Sequence, residues 1–453
     1  MEQAVIDFTL AQIRSALEAG QLQDALAALL RLHPADRADA FSVLNDKDQA
    51  ALLPRFDIPE TAELLEELEE NEAVDMAEAL TPDRLADVLD EMEPDEAADV
   101  LGDLSPERAA QALADMEEAD DVMPLLGHPD ETAGGRMTTS YIALRRHTTA
   151  AQAIEFVRAV HPDEQMPYYL YVVDRDRHLI GIVGLRDLIV ASPEATAETF
   201  MRREVHHVGT DVDQEEVARR MGRYSLAALP VVDKDNVLQG VITHDDLLDV
   251  LEQETTEDVL QFGGIEPGPI IDKPFWTQRI PEIVRSRFFW LLGLFVAETL
   301  TGTVLRHFSK ELDAVVSLSY FIPLIIGTGG NAGSQAVTGI IRALALGEVR
   351  RRDLLRVLLR EAQTSTLLGI LLGAVAFARV LLWGLGPQLA SVVAITILAV
   401  CLWANTIGSI IPIVADAVGI DPTVMSAPLI ATLVDATGLL IYLSVAGLVL
   451  SQV

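Results

Sequence analysis

The spacing of apolar residues changes twice along the chain. Between residues 33 and 116 it repeats every twelve positions, most clearly in TPDRLADVLDEM (81–92), EPDEAADVLGDL (93–104) and SPERAAQALADM (105–116). Looser copies begin at His33, Asn45, Asp57 and Glu69, and the twelfth position stays apolar from Leu44 to Met116. Thr81 and Ser105 suit helix N-caps, followed by proline at the first helical position. Each copy is therefore predicted to be a short helix and a tight turn. Twelve residues cannot bury a core alone, so the copies should stack into a small solenoid. The pattern leaves its hand open.

From Met137 the pattern shifts to β-branched runs between amphipathic helices, in two similar units. Each contains a helix, a strand (170–173; 229–232), an aspartate-bearing turn (174–176; 233–235), a second strand (179–183; 237–242) and a helix. Further on come five apolar stretches, at about 288–305, 318–346, 362–384, 390–415 and 422–450. Each approaches or exceeds the ~20 residues that cross a hydrocarbon core.

Composition sharpens this division. The 453 residues carry a net charge of −36 yet have a mean hydropathy of +0.28. From Trp290 onward nine acids balance nine Lys and Arg, so all of the excess negative charge lies on residues 1–289. Such an acidic region repels phosphate, which excludes nucleic-acid binding and favours cations as ligands. One cysteine, Cys401, allows no internal disulfide and no cysteine-rich zinc cluster. MEQAVIDFTL has no basic region leading into an apolar core, so no signal peptide is expected. Scattered histidines and the lack of a nucleophile–base pair argue against an enzyme.

Three groups of polar residues stand out. Asp95 and Asp99 are four apart, hence on one helix face. In HDDLLDVLEQETTED, Asp246 and Asp249 are three apart, followed by Glu254 and by Glu257–Asp258. Crowded carboxylates repel, and magnesium, a hard oxygen-seeking cation, would relieve them; a solvated charge run is the plain alternative. The third group lies in the apolar region. YFIPLIIGTGGNAGSQAVTGIIRALAL combines Pro323 and four glycines with Asn331, Ser334 and Gln335. It is predicted to be broken at mid-depth, which a bilayer tolerates only where protein or a water-filled route satisfies the backbone. In the last stretch Asp435 lies near the middle with no basic residue beside it. A charge there costs at least about 2.5–3.5 kcal/mol, so it is protonated, paired with Glu298 or Arg379 as neighbouring deep charges, or facing a hydrated path. Arg279, Arg285 and Arg287, with Arg350–Arg352, Arg356 and Arg360, place the acidic regions on the cytoplasmic side and the last residue outside.

Residues 137–254 resemble a pair of cystathionine-β-synthase-type (CBS) domains. That family's Thr/Ser-x-x-Asp after the last strand often contacts an adenosine nucleotide. Here the second unit has Thr243 and Asp246, while the first has Gly184 before Asp187. Nucleotide binding, a structural pair and cation sensing all remain open for it. GTGGNAGSQ (327–335), the Asn405–Gly408–Pro412 spacing and DP…AP…DATGLLIYLSVA (421–446), in this order of segments, resemble the MgtE magnesium channels. The resemblance implies a multidomain protein: an all-α acidic helical-repeat domain (1–132), α/β CBS domains (137–195 and 200–254), a connecting helix region (255–287, its helix at about 275–287) and an α-helical membrane domain of five spans (288–453). It implies a homodimer in the cytoplasmic (inner) membrane, with Asp435 and Asn331 as the magnesium site of the pore and Asp421 and Ala427 at its mouth. Ala427 departs from relatives that carry a polar residue such as Asn there. The sensing carboxylates would be Asp95, Asp99, Asp246, Asp249, Glu254, Glu257 and Asp258. Magnesium would be both cargo and regulator, with ATP a candidate ligand of the CBS pair through Thr243 and Asp187. Competing readings are a channel for other divalent ions such as cobalt or manganese, a sensor that transports nothing, and a CBS-regulated anion channel.

Overall fold

The computed structural model describes residues 2–160, 169–268 and 278–450, apart from the side chains of residues 2–7 and Asp249. It divides into two compact units, Met1–Glu254 and Thr255–Val453.

In the first unit the twelve-residue period produces the helices Pro34–Ser42, Asp46–Leu52, Ile58–Glu66, Glu70–Ala79, Pro82–Glu91, Pro94–Asp103 and Pro106–Asp115. The first residue of every copy is the N-cap. Asn45 and Asp57 accept the bond expected of a cap, from the backbone N–H of Asp48 and Glu60. Thr81 and Ser105 make no such side-chain bond. Other caps come from neighbouring repeats. Arg84 donates to the carbonyl of Phe56 at 2.7 Å, and Arg108 donates to that of Leu80, in each case 28 residues back. Glu66 and Asp90 in turn accept from the backbone N–H of Glu93 and Glu117, 27 residues on. Helix ends that would otherwise be orphaned are thus tied across the stack. Alternate helices pack together, Ile58–Glu66 on Pro82–Glu91 and Pro82–Glu91 on Pro106–Asp115.

Each of the two similar units holds a three-stranded sheet. Ala143–Arg145 runs parallel to Tyr169–Val173, which pairs antiparallel with Leu179–Gly184. Val208–Gly209, Ala228–Val232 and Leu238–Thr243 repeat this arrangement. The aspartate turns are closed by their own side chains: Asp174 Oδ1 accepts from the N–H of Asp176 and His178, and Asp233 Oδ1 from those of Asp235 and Val237. Arg177 and Asn236 are left-handed at matching turn positions. The modules meet there, where Leu179 N–H donates to the Asn236 carbonyl at 3.0 Å and Leu238 N–H to that of Arg177 at 3.1 Å.

The second unit holds five long helices, Ile280–His307, Ile322–Ala345, Leu354–Leu382, Pro387–Val418 and Ala427–Leu450. Among the described residues four helices are long and apolar enough to cross a membrane, and Ile322–Ala345 is not one of them. Its length suffices, but its glycines and polar residues dilute its apolarity. The expected mid-depth break is corrected as well: this helix is continuous, because Pro323 sits at its first turn, where a missing N–H is harmless. Its glycines serve close packing instead. A methyl on Gly329 would lie 2.8 Å from Val400 and Val434, and one on Gly333 2.9 Å from Ile430. On the fourth helix, a Cβ at Gly408 would sit 2.6 Å from the Gly333 carbonyl oxygen. The connecting helix expected at 275–287 falls partly outside the described residues, and from Ile280 onward it is continuous with the first long helix.

Because the atom facing Gly408 is backbone and cannot rotate away, Gly408→Ala should force the second and fourth helices apart. Overpacking of this kind costs about 1–3 kcal/mol. Thermal unfolding in detergent should show a melting point lowered by several degrees. Gly447→Ala, with open space around the added methyl, should leave it unchanged.

Candidate cation sites

Asp435 lies on the fifth long helix, and its Oδ1 is 3.5 Å from where a Cβ on Gly330 would stand. The carboxylate thus lies near the second helix at Gly330, whose chain neighbour is Asn331. No hydrogen bond or ion pair holds the Asp435 side chain among the described residues. Glu298 of the first helix is the charged neighbour that acts on it, and an acid cannot neutralise it. Arg379 instead lies over the Trp383 ring at 4.7 Å. Among the described residues, then, no fixed cation pairs with Asp435.

The second helix buries Gly329, Gly330, Gly333, Ala336, Val337 and Ile340. On its opposite face Asn331, Gln335, Thr338 and Arg342 are exposed, three or four residues apart. A polar stripe of this kind on a helix packed among apolar helices has no place against lipid. It requires water or another protein surface.

Asp421 accepts from the Thr423 N–H at 2.8 Å, capping the turn that precedes the fifth helix. Ala427 starts that helix, and its carbonyl accepts from the Ser334 hydroxyl at 3.4 Å. Helix His244–Phe262 reaches the same turn: Glu257 accepts from Gln261, whose side-chain oxygen accepts from the Thr423 hydroxyl at 2.9 Å. Asp258 is exposed on that helix.

In the first unit Asp95 is a buried acid, 8% exposed, with its Oδ1 unpartnered. Burial first, then the negative charges of Asp246 and Glu93, hold its carboxyl well above the usual range, against an opposing bond from Thr138. Glu96 is raised by burial and by Asp95, Asp99, Glu66 and Asp246. Asp99 is pushed up to about 6, by burial most of all, with Arg136 opposing and Asp130, Asp103 and Asp246 adding to it. Asp246 thus acts on three acids of helix Pro94–Asp103. Its own Oδ2 accepts from the Thr243 N–H at 2.9 Å and hydroxyl at 2.7 Å. Asp246 and the neighbouring acids Glu96 and Asp99 add their negative charge to that of Asp95, whose buried oxygen has no partner, and such a field favours a hard divalent cation. Glu254 is directed elsewhere, accepting from Gln214 at 2.7 Å. The side chain of Asp249 lies outside the described residues.

Comparison with known proteins follows the same segments. Residues 322–445 match the family described as a divalent cation transporter, MgtE; residues 32–131 match the MgtE intracellular N domain, and 133–194 and 197–253 match CBS domains. The magnesium transporter MgtE of Thermus thermophilus is 40% identical over 341 residues, 74% of this chain and 73% of its own length. The chain belongs to the MgtE family. The Enterococcus faecalis magnesium transporter MgtE is 32% identical over 73% of this chain and 72% of that one. Among solved structures, the soluble part of a magnesium transporter (32% identical, TM-score 0.50) covers 55% of this chain and 99% of that one. The cytosolic domain of the Mg2+ channel MgtE in complex with ATP (34% identical, TM-score 0.50) covers 53% of this chain and 99% of that one.

Two residues of this MgtE-family chain escaped the sequence reading. Glu96 had a signal, standing one helical turn from Asp99. Arg136 had none, since its contacts are tertiary.

The raised carboxyls make a pH prediction. Between about pH 4 and 6, from the ordinary Asp value of 3.8 to the Asp99 value of about 6, the folded metal-free unit binds more protons than the unfolded chain. Its stability should therefore fall as pH rises through that window. A soluble fragment ending after Gly264, melted with chelator present, should unfold several degrees higher at pH 5 than at pH 7.5. Asp99→Asn should flatten the slope.

Proposed function

We infer that this chain conducts magnesium down its electrochemical gradient through a membrane, along a path lined by its second and fifth long helices, and that its acidic regions respond to internal magnesium. The observation that carries this reading is the exposed stripe Asn331–Gln335–Thr338 beside the unpartnered carboxylate of Asp435. A sensor that moves no ions leaves this stripe unexplained, and an anion path would not be lined by a carboxylate. Membership of a family whose relatives are named magnesium transporters supports the identity of the ion.

In this reading all five long helices span the cytoplasmic (inner) membrane. The basic clusters near Arg285 and Arg351 are cytoplasmic, as is the N-terminal unit, and the fifth helix ends outside. Two copies related by a two-fold axis bring two Asp435 carboxylates to one point. Magnesium sheds water reluctantly, so a pair of charges spaced for the hydrated ion favours it over metals that dehydrate easily. Entry is driven by about 2.3 kcal/mol per charge per 100 mV, doubled for a divalent ion. Asp421 and Ala427 stand at the cytoplasmic mouth.

Regulation rests on Asp95, Asp99 and Asp246, with Glu96, as a magnesium site; Asp249, Glu254, Glu257 and Asp258 extend the acidic helix. Binding favours a closed state only if that state holds more ions. The Glu257–Gln261–Thr423 chain joins that helix to the turn before the fifth helix, a route by which closure acts on the pore. Nucleotide binding by the CBS pair is a second reading, supported by the relative solved with ATP. Its contacts would be Thr243, whose hydroxyl donates to Asp246, and Asp187, which accepts from Arg202 at 2.9 Å. A nucleotide would compete with both bonds. No enzymatic step belongs to this account.

Asp435→Ala should lower magnesium uptake into proteoliposomes at least about a hundredfold while cross-linking still traps dimers. Uptake at the parent rate would remove Asp435 from the path. In excised patches, Asp95→Asn with Asp246→Asn should raise the internal magnesium needed for half-closure about tenfold or more. An unmoved midpoint would show that these acids do not sense the ion.

A further inference from the structure

Within the first unit one cation is fixed against the acid cluster. Arg136 Nη1 stands 3.8 Å from Asp99 Oδ2. Its guanidinium is not left to swing there: Nε donates to the Gln214 side-chain oxygen at 3.0 Å and Nη2 to that of Gln253 at 2.9 Å. Gln214 is itself only 4% exposed and is anchored by donating to Glu254 at 2.7 Å. Both terminal nitrogens and Nε are thus committed, and the planar fork is locked in orientation. The cluster beside it contains Asp95, which among the described residues is the one acid whose buried oxygen lacks a partner.

We propose that Arg136 is a tethered competitor for the divalent ion: its fixed positive charge occupies part of the negative field of Asp95, Glu96, Asp99 and Asp246, and so sets the magnesium concentration at which this site fills. The inference rests on the reading of that cluster as a magnesium sensor. Its physical basis is direct. A divalent ion entering the cluster meets repulsion from a unit charge that cannot retreat, and a charge pair at such range is worth on the order of 1 kcal/mol even at high dielectric constant. Arg136 also offsets the charge of Asp99 while the site is empty. Arg136 is accordingly a positioning residue of the sensor, acting through Asp99 and touching no cargo in the pore.

The test uses the full-length chain in detergent, with hydrogen–deuterium exchange of the peptide covering residues 93–104 followed against magnesium concentration. The parent chain should gain protection with a defined midpoint. Arg136→Gln, which removes the charge but can still hydrogen-bond, should lower that midpoint about tenfold. Arg136→Lys, which keeps the charge and loses the fork, should stay within about twofold of the parent. This separates charge from scaffolding, because a merely structural arginine would make both variants bind more weakly. An unchanged or raised midpoint in Arg136→Gln, with the parent responding normally, overturns this inference and leaves the sensor intact. No magnesium-dependent protection in the parent overturns both. Should Arg136→Gln be poorly folded, Gln253→Ala gives a second reading: it frees one arm of the guanidinium, and the midpoint should fall by about twofold to threefold. A rise there would likewise count against the proposal.

Discussion

The second unit depends on one constraint: hydrocarbon has no partner to offer a polar group. Asp435, Asn331 and Gln335 are tolerable there only if water or protein faces them. Glycine packing makes that arrangement possible. Gly329 and Gly333 let the second helix sit against Val400, Val434 and Ile430, and the Asp435 carboxylate lies near the same helix at Gly330. The small residues on one face of the helix and the polar residues on the other are therefore halves of a single device. One half fixes the distance between helices, and the other presents oxygen and amide groups to the path proposed for the ion.

The first unit works by the opposite economy. There, carboxylates are brought together at close quarters and raised above their ordinary range by burial. Such a cluster stores repulsion in the folded chain, and anything positive that enters releases it. A proton, the Arg136 guanidinium and a divalent cation are three ways of doing so, and they exclude one another in part. Magnesium carries twice the charge of the others and accepts several oxygen ligands at once. In the proposed sensor, Asp95 would supply an oxygen with no bond to give up. Under the proposed function, carboxylates in excess of the available internal cations are what would make the site responsive.

Much of the architecture was legible because it is local. A period of twelve is one short helix plus a turn, so the start of each repeat fell on its N-cap. The bonds that tie the stack together were illegible, since Arg84 and Arg108 act across 28 residues and no spacing rule announces that. The second long helix misled for a related reason. Proline and glycine weaken an isolated helix, but here Pro323 sits in the first turn and the space at Gly329 and Gly333 is filled by neighbours, so tertiary packing overrides propensity. The same dilution of apolarity leaves that helix short of the others as a membrane span on composition alone. In the acid cluster, the spacing of Asp95 and Asp99 put them on one face. Asp246 was marked by its spacing to Asp249 on a different helix, but its effect on Asp95 is tertiary and, like Arg136, needed the fold.

Transmission between a magnesium site and a pore requires an element whose position both can bias. Helix His244–Phe262 has the necessary construction. Near its start Asp246 is fixed by two bonds from Thr243, so a cation drawn to that carboxylate pulls on the helix itself and not on a loose side chain. Near its end Gln261 is held between Glu257 and Thr423, and Thr423 belongs to the turn that launches the helix bearing Asp435. Each joint is a short side-chain bond to a helix end or a capped turn, places where rotation is already restricted. The helix runs for 19 residues, about 28 Å at 1.5 Å per residue, and under the proposed function it is the element that would carry a shift between its ends. Side chains of this size can turn such a shift into a made or broken contact, and interfaces packed through glycine leave no slack to absorb it.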